Sequence, residues 1–138
     1  MSEKRQRLDR AAQHADDTAQ RARAELARAS REVDANAEAR QDLIDRSTAL
    51  AGDDMSSQLR SHLAGAGARR LTQLVEEKAA LQETEARTRV EAEAANARLK
   101  ALERLVKRVD DADALRRRRA ADAELQDLVA SRATREER

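Results

Sequence analysis

Counting from Met1 in alternating steps of four and three picks out Met1, Arg5, Leu8, Ala12, Ala15, Ala19, Ala22, Leu26, Ala29, Val33, Asn36, Arg40, Leu43, Ser47 and Leu50. Eleven of these fifteen positions are apolar, and an average spacing of 3.5 residues is the period of a helix packed along a partner helix. From Ala12 to Ala22 every position of the series is alanine. Small residues let two helix axes approach to the short end of the usual ~8–10 Å range. Asn36 and Arg40 interrupt the stripe, and a polar residue in such a seam fixes register at some cost in stability. A second series runs through Leu71, Leu74, Leu81, Ala92, Ala95, Leu99, Leu102, Val106 and Val109, interrupted by Lys78, Glu85 and Thr88. After Val109 the phase is lost, since Leu115, Leu125, Leu128 and Val129 fall off the count.

All three glycines, Gly52, Gly65 and Gly67, lie between the two series. Gly52 follows Leu50-Ala51 and is expected to end the first helix with positive φ. Asp53 or Asp54 then caps a short helix carrying Met55, Leu59 and Leu63 on one face, which Gly65-Ala66-Gly67 ends or loosens. The pattern predicts an all-α fold: a long two-helix antiparallel coiled-coil hairpin with a short helical or irregular tip and a charged C-terminal helical extension. Its expected divisions are arm one at about 3–51, the tip at about 52–67, arm two at about 68–132 and a frayed tail at 133–138. A fold-back at residues 52–53 would set Leu8 near Ala97 and leave Leu99 to Val109 unpaired. A centre near residues 59–60 sets Leu8 opposite Val109 or Asp111 and is preferred. It gives paired arms of ~45 residues, roughly 65–70 Å long at the rise of an α-helix. The same seam would equally build a dimer between two chains.

Composition agrees with the periodicity. The chain has 138 residues, 40% of them charged and 31 of them alanine, with no aromatic residue, proline or cysteine. Fifteen Leu, six Val, one Ile and two Met supply little of the bulky surface on which a globular core depends. Ala, Leu, Arg, Glu, Gln and Lys are strong helix formers, and no proline interrupts them. Favourably oriented pairs at i,i+4, such as Glu3–Arg7, Asp17–Arg21 and Glu85–Arg89, each add ~0.2–0.5 kcal/mol. No apolar run approaches the ~18 residues of a spanning helix, and Met1-Ser2-Glu3-Lys4-Arg5 leads into no apolar signal segment. A cytoplasmic protein without membrane insertion is expected.

Charge is uneven along the chain. Formal net charge is +1, yet residues 98–119 hold nine Lys/Arg against four Asp/Glu, and residues 72–97 hold three against six. The sharpest local feature is Arg116-Arg117-Arg118-Arg119. It reads as a solvated helix surface or as a patch for an acidic protein partner. Nucleic-acid contact is disfavoured because no aromatic side chain is present to stack on bases.

Catalytic chemistry finds no footing. His14 and Asp17 offer a metal two ligands, where zinc sites use three or four. His62 lies near Ser57 and Ser61 without a nucleophile elbow. Gly65-Ala66-Gly67-Ala68-Arg69-Arg70 lacks the lysine and Ser/Thr of a phosphate loop. No enzyme activity, cofactor, metal or small-molecule substrate is expected. Ile44, Val75 and Val90 are large apolar residues beside the seam, which either broaden its stripe or stand as exposed anchors for a partner helix or groove. Ile44 and Val75 are expected to lie near each other across the hairpin, close to its tip, as contacts for a partner protein.

The run Arg98-Leu99-Lys100-Ala101-Leu102-Glu103-Arg104-Leu105-Val106-Lys107-Arg108, followed by a basic helix and Ala123-Glu124-Leu125-Gln126-Asp127-Leu128-Val129-Ala130-Ser131-Arg132, resembles the flagellar export protein FliJ family and its virulence-secretion counterparts. Length and layout resemble that family too. The resemblance implies a non-enzymatic component of the type III export apparatus, similar to the central stalk of rotary ATPases. Such a stalk places the terminal end of its coil in the hexameric export ATPase, reaches the cytoplasmic part of the membrane export gate and contacts export chaperones. It would sit in the cytoplasm or peripherally at the inner face of the membrane. The other readings are a generic coiled-coil scaffold or chaperone-like hairpin and, less favoured, a basic nucleic-acid-associated coil. No contact residue is carried over from the family.

One distance decides the architecture in solution. Labels placed at positions 12 and 106 of a single molecule, in dilute protein, are expected close together. A separation near the full length of a helical arm would remove the hairpin.

Overall fold

The computed structural model describes residues 2–52 and 54–137. Met1 of the seam count and Asp53, one of the two expected caps, lie outside them. The fold is an all-α hairpin of two long helices packed against each other: α1 at Glu3–Ala51 and α2 at Ser57–Glu136. Contacts group into two compact units. One comprises Met1–Asp16 with Ala97–Arg138, the other Asp17–Asn96.

In the unit 17–96 the buried side chains are Ala19, Ala29, Asn36, Leu74 and Ala92. Ala22, Leu26, Val33, Leu43 and Leu50 are half-buried on α1, and Leu71, Leu81, Thr88 and Ala95 on α2. These are the positions of the 3.5-residue series. Ser47 departs from it, being exposed. Asn36 Nδ2 donates to the Leu74 carbonyl across the seam at 3.0 Å, and Arg40 Nε donates to Asn36 Oδ1 at 2.9 Å. Both ends of the buried amide are therefore satisfied, as burial of a polar group requires. In the unit 1–16 with 97–138, Ala15 and Leu99 are buried. Leu8, Ala12, Leu102, Val106 and Val109 are half-buried, and α2 keeps partial burial through Asp113 and Ala114.

The turn is tighter than the glycines suggest. Gly52 has no positive φ; its N–H instead donates to the Ala49 carbonyl at 3.2 Å, the i−3 closure that tightens a last helical turn. Ser56, rather than Asp54, caps α2. Its hydroxyl accepts from the Leu59 N–H at 3.3 Å and its carbonyl from the Arg60 N–H at 3.0 Å. Helix then runs unbroken through Gly65-Ala66-Gly67, so the expected tip at 52–67 shrinks to residues 52–56. Each interior glycine costs only ~1 kcal/mol against alanine, and Ala64, Ala66 and Ala68 on either side favour helix. At the other end α2 is helical to Glu136, where a frayed tail from residue 133 was expected.

This shorter turn resets the register. The midpoint of Asn36–Leu74 is residue 55 and that of the facing pair Ser47–Gly67 is residue 57, short of the preferred centre at 59–60. In the other unit the Arg5–Asp110 ion pair sets Leu8 at the level of Lys107, rather than Val109 or Asp111.

A Cβ added at Gly65 would meet nothing closer than Arg69 Nη1 at 3.6 Å, and one at Gly67 nothing closer than Ser47 Oγ at 3.9 Å. Both are ordinary contacts and both glycines are helical. Gly65→Ala and Gly67→Ala are each expected to stabilise the fold by about 0.5–1 kcal/mol in urea denaturation followed by circular dichroism. Destabilisation by either would show that the helix does not pass through this segment.

Candidate partner-binding surfaces

Three regions could meet another molecule, and the first sits within the unit 1–16 with 97–138. Arg5 Nε donates to Asp110 Oδ1 at 2.7 Å and its Nη2 to Asp110 Oδ2 at 3.1 Å, a bidentate fork. Arg5 also pairs with Asp9 one turn along its own helix. The hydrogen bond to Asp110, more than any other contact, raises the Arg5 guanidinium above its ordinary pKa. Six residues further along α2 the arginine run begins. Arg116 Nη2 lies 3.8 Å from Asp113 Oδ1, and Arg117 Nε donates to the Asp113 carbonyl at 3.4 Å. All four of Arg116, Arg117, Arg118 and Arg119 are exposed. Arg118 and Arg119 make no hydrogen bond or ion pair among the described residues. Two arginines are thus tied to Asp113, and two present uncommitted cations to solvent.

The second region is the rest of α2. From Leu115 to Glu137 every described residue is exposed; no α1 residue covers this segment. Leu125, Leu128 and Val129 are 59, 65 and 67% exposed and, with Arg132 and Arg135, line a shallow surface groove. The expected contact residues omit these three. Their signal was present in the sequence as apolar residues at i, i+3 and i+4 with no seam to join.

The third region lies in the unit 17–96. Ile44 and Val75 are about half exposed, at 46 and 51%, but they are not neighbours. Val75 follows Leu74, which meets Asn36, and Ile44 stands eight residues further along α1. That is about 12 Å of helix rise. The shortened turn shifts α2 relative to α1 and separates them, correcting the expected pair. Where Ser47 faces Gly67, small residues on both helices leave a notch walled by Leu43, Leu50 and Leu63, with Arg46 and Arg70 at its rim. Arg70 is also 3.7 Å from Glu77.

Among the described residues no group of three or more His, Cys, Asp or Glu could hold a metal ion. No helix is long and apolar enough to cross a membrane. Comparison with protein families, with curated proteins and with solved structures finds no match to this chain.

Removing the fork should loosen only the start of α1. With Asp110→Ala, amide exchange over residues 5–9 is expected to quicken at low salt, and the difference from the parent chain should vanish in 1 M salt, where the Debye length is about 3 Å. An equal effect at both salt concentrations would mean the pair acts through packing.

Proposed function

We propose that this chain is a non-enzymatic, coiled-coil binding protein, and that it serves as a stalk of the flagellar or type III protein export apparatus. The observation that supports a binding role is the length of α2 left without a partner, with uncovered arginines at its start and uncovered leucines beyond them. A seam that ends at Ala114 leaves the next 22 residues of helix, to Glu136, free to enter another assembly. In the stalk reading Arg116, Arg117, Arg118 and Arg119 meet acidic groups inside the export ATPase hexamer. Ile44 and Val75, at separate levels of the other unit, offer contacts to the cytoplasmic part of the export gate or to export chaperones. The export assignment comes from the likeness of the segments 98–108 and 123–132 to the FliJ family. The protein then works in the cytoplasm or peripherally at the inner face of the membrane, without cofactor or small-molecule substrate.

A generic scaffold or chaperone-like hairpin is the second reading. Exposed Val75 and Val90, 51 and 66% accessible on the outer side of α2, favour it, because they could grip client helices along the hairpin. A nucleic-acid-associated coil is disfavoured, since Asp110, Asp111 and Asp113 directly precede the arginine run.

Reversal of the four arginines to glutamate separates these readings. Binding to a purified export ATPase hexamer, followed by anisotropy, is expected to weaken about tenfold or more, with helicity unchanged. Undiminished binding, or no binding by the parent chain, would sink the stalk reading.

A further inference from the structure

The exposed part of α2 carries a further patterned face that begins within the arginine run. Arg118, Ala121, Leu125, Leu128 and Arg132 follow one another in steps of three and four, the spacing of a coiled-coil seam. With Val129 they fall within about 100° of the helix axis at 3.6 residues per turn. Each is exposed, and α1 offers nothing to cover them. The face has an apolar centre and a cation at each end, fourteen residues apart. Asp122 and Glu124 border it on opposite edges.

A second copy of the chain fits this face badly in the in-register parallel alignment and in the antiparallel alignments that pair its central residues. In a parallel pair Arg118 would meet Arg118 and Arg132 would meet Arg132. An antiparallel pair with Leu125 against Leu125 sets Arg118 against Arg132. With Leu125 against Leu128, Arg118 meets Arg135; with Leu125 against Ala121, Asp122 meets Asp122 and Glu124 meets Glu124. Like charges brought together in a seam cost several kcal/mol. A helix bearing carboxylates at those two end positions removes the conflict, because guanidinium and carboxylate pair bidentately.

We propose that this face docks an amphipathic α-helix of a different protein, apolar at its centre, with a glutamate or aspartate opposite each of Arg118 and Arg132. The partner's apolar residues cover Leu125, Leu128 and Val129, so the partner extends the coil where α1 has ended. Arg118 and Arg132 specify it and the leucines supply the attraction.

A synthetic helix tests this on the full chain. One labelled peptide has leucine at its seam positions and two glutamates there, fourteen residues apart; its control has lysines in place of the glutamates. By fluorescence anisotropy the glutamate peptide is expected to bind about tenfold or more tightly than the lysine peptide. In the double variant R118E/R132E that preference should reverse. Leu125→Ser with Leu128→Ser should bind neither peptide, while the parent circular dichroism spectrum is retained because both side chains are exposed. The proposal is overturned by equal affinity for the two peptides, or by no binding of the glutamate peptide. Self-association of the parent chain in sedimentation, abolished by the serine pair, would also overturn it by assigning the face to a second copy. No export component enters this experiment, so its outcome is independent of the ATPase measurement.

Discussion

Ala15, Ala19, Ala29 and Ala92 contribute a methyl group apiece where α1 and α2 bury side chains, and that small size sets the terms for everything else. A methyl removes little apolar surface, so no single layer of the seam holds the helices together. The attraction must be gathered along the length of the contact, and it is gathered only if the two backbones come close enough for methyls to touch. Alanine permits that approach and also favours the helix itself. Among the described residues, Leu74 and Leu99 are the only large apolar side chains that become buried, one in each unit.

A seam of near-identical methyls tells the helices to pair but not where. Between Ala12 and Ala22 a slide of one turn would exchange alanine for alanine. Asn36 resists that slide, because its amide reaches the Leu74 carbonyl at one register and is held from behind by Arg40. The Arg5–Asp110 fork supplies a second mark in the other unit. Polar residues that weaken the apolar stripe are the ones that give it an address.

The helices and their buried faces were legible because a period of 3.5 survives any detail of packing: Arg5, Arg40, Lys78 and Glu85, though charged, are half-buried where the count puts them. The turn was not legible at the same precision. Glycine marks a place where helix is costly, not a place where it stops, and Gly65 and Gly67 are outvoted by the alanines around them. Ser56 ends the matter by supplying a cap that was expected from Asp53 or Asp54. An error of a few residues in the centre of the turn then moved Ile44 and Val75 apart, since a contact across a hairpin depends on register twice over. The arginine run was visible as a string of letters. That two of its members are held by Asp113 required geometry.

The unequal lengths of the helices, 49 and 80 residues, have a further consequence. A single helix with no neighbour opens locally at far lower cost than one locked in a seam, and four successive arginines at its root are the residues a trypsin-like protease cuts after. Cleavage there would detach everything from Ala120 onward and leave in place the half-buried and buried positions of α2, which end at Ala114. A single cut at the arginine run would thus remove the exposed part of α2 in one irreversible step.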